Sequence, residues 1–110
     1  MRELGITLAL GSDFNPGSCT LFAMPTVISL SCLLYGMTIK EAILGATLNA
    51  AKALKLDHRK GSLVSGKDAD ILILDVPNFQ HIAYRLAHNP AKTVIVGGQI
   101  AASRPGATTT

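Results

Sequence analysis

Tryptophan is absent from this 110-residue sequence, and aromatic residues make up only 5% of it. A basic face interleaved with aromatic side chains, the usual footprint of a nucleic-acid binder, is therefore missing. The net charge of +3 is scattered, and Lys52, Lys55, Arg59 and Lys60 form the one loose basic cluster, which reads as a solvated face. Charge is scarce too: Asp, Glu, Lys and Arg account for 15% of residues, against about a quarter in ordinary domains. A self-sufficient small domain carries more surface charge. Part of the apolar surface is thus expected to meet another domain or subunit.

Other shortages narrow the chemistry. The two cysteines, Cys19 and Cys32, have no metal-ligand spacing and fit buried thiols of a reducing compartment better than a disulfide scaffold. The histidines, His58, His81 and His88, form neither His-x-His nor His-x-x-x-His, and each reads as a surface or loop residue. Ser12 and Ser18 lie near Asp13, but no Gly-x-Ser-x-Gly elbow surrounds them, which argues against a serine nucleophile. Gly61 to Gly66 lacks the Gly-Lys-Ser/Thr ending of a phosphate loop and reads as a turn. The most apolar run, Ile28 to Met37, is too short to span a bilayer. Met1-Arg2-Glu3 lacks the layout of a signal peptide. The expectation is a soluble, cytoplasmic protein with no nucleic-acid or membrane partner.

What is present centres on Ile6 to Ser18. Ile6 to Leu10 reads as a short buried strand that would need partners from elsewhere to be covered on both faces. Gly11-Ser12 ends it and Asp13 follows. Asn15, Gly17 and Ser18 then sit in a loop that Pro16 and Gly17 keep irregular. A carboxylate at the carboxyl end of a buried strand is how α/β barrels present chemistry. Asp13 is also an ordinary turn former, and the residues alone leave both readings open.

Beyond the loop, Met24 to Tyr35 is apolar enough for a buried helix, with Pro25 in its first turn and Gly36 ending it. Thr38 and Glu41 have capping-box spacing, and the helix they open is expected to run to about Leu44 and break at Gly45. Thr47 is placed to cap a second helix through about Leu56. Ala42, Ile43, Ala46, Ala50, Ala51 and Leu54 give the pair closely packing faces, and Asn49 is placed to bridge their backbones. After Asp57 the character changes. Ile71 to Asp75 and Lys92 to Val96 read as strands, Gly97-Gly98 as a tight turn, and Gln99 to Ala101 as the returning arm. Ile82 to Leu86 is ambiguous between helix and strand.

Several of these segments have a familiar spacing. Gly11-Ser12-Asp13, Met37-Thr38 with Glu41-Ala42, Thr47 to Leu54, Gly61-Ser62-Leu63, Gly66-Lys67-Asp68-Ala69-Asp70 and Asp75 resemble the carboxyl-terminal third of the metal-dependent amidohydrolase superfamily. Asp13-Phe14-Asn15-Pro16-Gly17-Ser18-Cys19, with Pro77-Asn78-Phe79 and Tyr84, is similar more narrowly to the imidazolonepropionase family of histidine degradation. The resemblance implies an α/β fold. Residues 1–58 would hold the last strand and helices of a TIM-type (β/α)8 barrel, 59–102 part of a small β-sandwich, and 103–110 a disordered tail.

It also implies a hydrolase that opens the cyclic amide C–N bond of 4-imidazolone-5-propanoate to give N-formimidoyl-L-glutamate. Asp13 would be both metal ligand and general base on metal-bound water, the metal being zinc or iron. Asn15, Gly17 and Ser18 would contact the substrate's ring and propionate arm. The family's histidine ligands would lie on a missing amino-terminal part or a partner chain, so the 110 residues alone are expected to be inactive. Lys55 stands where that family's helix commonly ends in glycine. A homodimer, another cyclic amidohydrolase or deaminase, and a non-catalytic module paired with a second chain stay open as alternatives.

Overall fold

The computed structural model describes residues 2–15, 17–19, 23–83 and 89–104. Pro16, Tyr84, the segment 84–86, His88 and the tail from 105 onward, all singled out above, lie outside the described residues. The first half is helical. Helix α1 spans Met24–Tyr35 with Pro25 in its opening turn, and Gly36, at φ 65°, turns the chain out while its N–H donates to the Ser31 carbonyl. Ser29 and Ser31 are buried because their hydroxyls donate back to the Pro25 and Val27 carbonyls, at 3.1 and 2.8 Å.

Helix α2 spans Ile39–Ala46 and opens on the expected capping box. The Glu41 amide donates to the Thr38 hydroxyl, and the Thr38 amide donates to the Glu41 carboxylate. The expected break at Gly45 is not seen: α2 runs through that residue. Glycine there serves contact, not termination. A Cβ on Gly45 would lie 3.0 Å from Leu10 Cγ and 3.3 Å from the Leu8 carbonyl oxygen. The interruption falls at Thr47, whose hydroxyl donates to the Ile43 carbonyl at 2.7 Å instead of capping the next helix.

Helix α3 spans Leu48–Ala53, shorter than expected. Its end is a Schellman motif. Lys55 takes the left-handed conformation at φ 59°, its amide donates to the Lys52 carbonyl at 3.0 Å, and the Leu56 amide donates to the Ala51 carbonyl at 2.8 Å. Leu54 points outward, and Asn49 makes no bridge among the described residues.

The second half is a three-stranded antiparallel sheet in chain order: β1 (Ile71–Leu74), β2 (Ala91–Val96) and β3 (Gln99–Ser103). Leu72 faces Val94 across the first ladder, and Ile95 faces Ile100 across the second. Gly97 and Gly98, at φ 58° and 83°, supply the two left-handed residues of the β2–β3 turn. The last strand reaches Ser103, beyond the expected Ala101. Between β1 and β2 lies a 3-10 turn at Phe79–Ile82, capped by the Asn78 side chain. Of the ambiguous run only Ile82 and Ala83 are described, Ile82 ending this turn and Ala83 capping it.

Among the described residues the halves meet where the Ser29 hydroxyl reaches the Ile82 carbonyl at 3.5 Å and where Gly61 seats on α3. Gly61, at φ 95°, lies flat on α3: a Cβ there would meet Ala51 Cβ at 2.8 Å and Leu48 Cα at 2.9 Å. Beside it, Arg59 and Lys60 stay solvent-exposed, as expected of a solvated face, but are paired there. Arg59 pairs with Asp68 at 2.9 Å, and Lys60 reaches both Asp68 and Asp70. Asp70 also accepts the Gly97 amide at 2.9 Å, so the clasp ends on the β2–β3 turn. Hydrogen bonds from Arg59, then Lys60, hold the Asp68 carboxyl below the usual carboxylate range. Lys60, then the Gly97 amide, does the same for Asp70, and these partners raise Lys60.

Val27, Ile28, Ala42 and Ala51 are the buried hydrophobic residues among those described. Large apolar side chains are left outside, with Leu33 74%, Tyr35 78%, Leu63 72% and Ile100 70% exposed. That agrees with the shortage of charge.

Candidate active site

Ile6 to Leu10 does not form a strand. Among the described residues it has no neighbouring strand to complete a ladder, and its backbone is tied instead by the Leu10 amide donating to the Gly45 carbonyl at 2.8 Å. The seat is α2: with no side chain on Gly45, the run from Leu8 to Leu10 lies directly against the helix. Sequence reasoning took Gly45 for a helix breaker and so missed its part in holding the segment that leads to Asp13. The available signal was a glycine inside an otherwise good helical run, which marks close approach as readily as an end.

At the end of that segment Asp13 adopts φ 55°. Asp tolerates this region better than most residues, at a cost of order 1 kcal/mol. Asp13 is exposed, and no hydrogen bond or ion pair engages its carboxylate among the described residues.

The loop that follows closes on itself. Asn15 and Cys19 form an isolated antiparallel bridge, with the Asn15 amide donating to the Cys19 carbonyl at 2.7 Å and the Cys19 amide donating back at 3.3 Å. The Asn15 side chain fills the space within. Its Nδ2 donates to the Asp13 carbonyl at 2.8 Å. Its Oδ1 accepts from the Gly17 amide at 3.0 Å, the Ser18 amide at 2.7 Å and the Ser18 hydroxyl at 3.1 Å. At the rim, Ser12 accepts the Phe14 amide on its hydroxyl and the Cys19 thiol on its carbonyl.

The structure thus brings Asp13, Asn15, Gly17 and Ser18 into one loop. The donors expected to face a ligand, the Gly17 N–H and the Ser18 hydroxyl, are turned onto Asn15. Ser12 and Cys19 close the loop and were not foreseen in that role. His58 and His81 are not near-neighbours in sequence to this loop, and His81 stacks its hydrogen bonding on Asn78, with Nδ1 and Oδ1 3.1 Å apart. Both cysteines are free thiols, half-buried where fully buried ones were expected, and burial raises Cys32 above the usual thiol range.

The donor set decides what the loop can hold. A carboxylate oxygen suits a divalent cation, and Asp13 presents one. No group of three or more His, Cys, Asp or Glu among the described residues is arranged to hold a metal ion. Asp13 therefore fits one corner of a metal site, not the whole of it.

The amidohydrolase family model matches residues 1–101. The chain is 45% identical over 100 residues to the imidazolonepropionase of Symbiobacterium thermophilum, covering 91% of this chain and 24% of that protein. It is 47% identical over 98 residues to that of Geobacillus kaustophilus, covering 89% and 23%. The chain spans about a quarter of the length of these curated relatives. Among solved structures, an amidohydrolase from Thermotoga maritima superposes with a TM-score of 0.72 at 25% identity, over 94% of this chain and 24% of that one. Guanine deaminase of Escherichia coli gives 0.71 at 22% identity, over 93% and 28%, a likeness of fold.

Proposed function

Because the chain belongs to the amidohydrolase family, we propose that it forms the carboxyl-terminal portion of an imidazolonepropionase-type hydrolase acting on the cyclic amide bond of 4-imidazolone-5-propanoate. The observation that carries the reading is Asp13: an exposed carboxylate with no partner among the described residues, held in a left-handed conformation by a loop built around it. The similarity to imidazolonepropionases across nine-tenths of the chain supports the substrate class.

In this reading the last barrel strand and its helices lie within 1–58 and part of a small β-sandwich within 59–102. Ile6 to Leu10 would become a strand once neighbouring strands flank it. The remaining metal ligands come from an amino-terminal part or a partner chain. A divalent cation, zinc or iron, supplies Lewis acidity and acidifies water when bound. Asp13 supplies one oxygen ligand and accepts a proton on its carboxylate as general base. Gly17 lets a ligand approach the backbone closely, Ser18 keeps hydroxyl lone pairs to accept from it, and Asn15 holds both. Exposed Leu33, Tyr35, Leu63 and Ile100 would be covered by the rest of that enzyme. The reading places it in the cytoplasm, in histidine breakdown.

The test is a chimera in which this chain replaces the matching segment of the Symbiobacterium thermophilum enzyme, assayed on 4-imidazolone-5-propanoate. Asp13→Asn is expected to lower turnover at least about a hundredfold, with the melting temperature unchanged. Ordinary turnover in that variant overturns the role of Asp13. Turnover of other cyclic amides, with none of the imidazolone, overturns the substrate.

A further inference from the structure

We propose that the cleft beside the β2–β3 ladder, lined by Asn89, Lys92 and Arg104, binds a phosphate-type oxyanion. The cleft shares no residue with the Asp13 loop, so the reading of Asp13 above can fail without touching it.

The register sets two cations face to face. Thr93 pairs with Ser103, and one step further the Arg104 amide donates to the Lys92 carbonyl at 2.8 Å. Lys92 and Arg104 are therefore opposite each other, where side chains start about 5 Å apart and like charges repel. Val94 and Ala102, the pair next to them on the same face, form the apolar wall of the cleft. Arg104 is partly compensated. Its Nη1 donates to the Asn89 carbonyl at 3.1 Å, and its Nη2 stands 3.6 Å from the Asp75 carboxylate, too far for a good hydrogen bond. Lys92 is not compensated: no hydrogen bond or ion pair engages its ammonium among the described residues.

Donors are in excess as well. An ammonium and a guanidinium carry more N–H groups than these acceptors use. Asn89 spends its Oδ1 on the Ala91 amide at 3.1 Å, which leaves its Nδ2 to donate. Facing cations with unspent donors suit an anion with several acceptor oxygens. At about 270 Å³ the cleft is small, below the roughly 300 Å³ at which pockets for drug-sized ligands begin. The side chains of Arg104 and Asp75 are 43% and 44% exposed, so a small ion can enter from solution. Two cations against the single Asp75 carboxylate favour a doubly charged phosphate group over a singly charged carboxylate.

Inorganic phosphate is the probe, titrated into the full 110-residue chain at constant ionic strength and followed by amide NMR shifts. Saturable shifts are expected at Lys92, Val94 and Ala102, with Ala42 and Ala51 unmoved. Phosphate is also expected to raise the melting temperature. Lys92→Gln is expected to weaken phosphate at least about tenfold. With the repulsion across the ladder relieved, that variant should melt no lower than the parent in phosphate-free buffer. Lys52→Gln, at an exposed lysine outside the cleft, is expected to leave phosphate binding as it is. Glycerol phosphate separates the two sources of the same group: binding tighter than inorganic phosphate marks a phosphate ester as the ligand, and weaker binding marks the free ion. Acetate bound as well as phosphate overturns the phosphate class. Shifts that never saturate, or that Lys52→Gln weakens as much as Lys92→Gln does, overturn the site. So does Lys92-dependent binding that vanishes in the chimera described above, because the rest of the enzyme then fills the cleft.

Discussion

At the scale of single residues the most informative positions are those whose backbone and side chain disagree. Lys55 is one. It occupies φ 59° at the end of α3, where the two closing hydrogen bonds of the Schellman motif form all the same. The backbone pattern, not the residue type, ends the helix. Replacing a left-handed lysine by glycine removes the clash of Cβ with the neighbouring carbonyl and is worth about 1 kcal/mol, after the extra freedom glycine gains when unfolded. Lys55→Gly is therefore expected to raise the melting temperature by about 5 °C, followed by circular dichroism. The family resemblance pointed to this position, where a glycine is common, whereas the residues alone ran the helix on to about Leu56. The place of Asp13 in the chain was legible too, as a carboxylate with two residues between it and an apolar run, while its role belongs to the proposed function. What was not legible was the Asn15 network. Nothing in the spacing of Asn15, Gly17 and Ser18 tells whether their donors face a ligand or one another, since that depends on dihedral angles the composition does not encode.

Among elements, those governed by local rules were readable and those needing neighbours were not. Helix α1, the Thr38–Glu41 box and the β2–β3 turn follow from proline, capping and glycine chemistry within a few residues. Ile6 to Leu10 has the composition of a strand, but a strand is made by its ladder, and no flanking strand is present among the described residues. The break between α2 and α3 fell two residues late because Gly45 and Thr47 compete to end the helix. Contact with Leu8 and Leu10 decided for Gly45 as a docking surface. Gly61 shows the same principle more strongly. Gly61→Ala places a methyl group within 3 Å of the α3 backbone at a φ that disfavours any side chain. The cost is expected to be at least about 2 kcal/mol, measured as a shift in the urea midpoint at unchanged slope. An equal stability would mean that the turn after α3 is not seated on it.

For the molecule as a whole, the clasp of Arg59, Lys60, Asp68 and Asp70 carries the testable electrostatics. Asp68 and Asp70 have folded values below those of the unfolded chain, so their contribution is present above the ordinary carboxylate pKa and is lost as pH falls through the folded values. Lys60 is raised, so its share is present up to the ordinary lysine pKa and is lost only as pH climbs through its higher folded value. Stability is expected to fall on acidification below about pH 4, and the Asp68→Asn, Asp70→Asn double variant to flatten that fall. Because the pairs are exposed, the difference between parent and variant should shrink in molar salt. An identical acid profile in both would assign the acid sensitivity elsewhere. The order of the elements has a further consequence. Helix α1 packs on α2, α2 on α3, and β1, β2 and β3 pair in the order they occur along the chain. Each such closure spans a short stretch, so little loop entropy stands between the unfolded chain and its contacts. The helices can assemble as they leave the ribosome, before β2 and β3 have been synthesised. The bond from the Gly97 amide to Asp70, 27 residues apart in sequence, is the longest-range link of the clasp and ties the start of the sheet to its last turn.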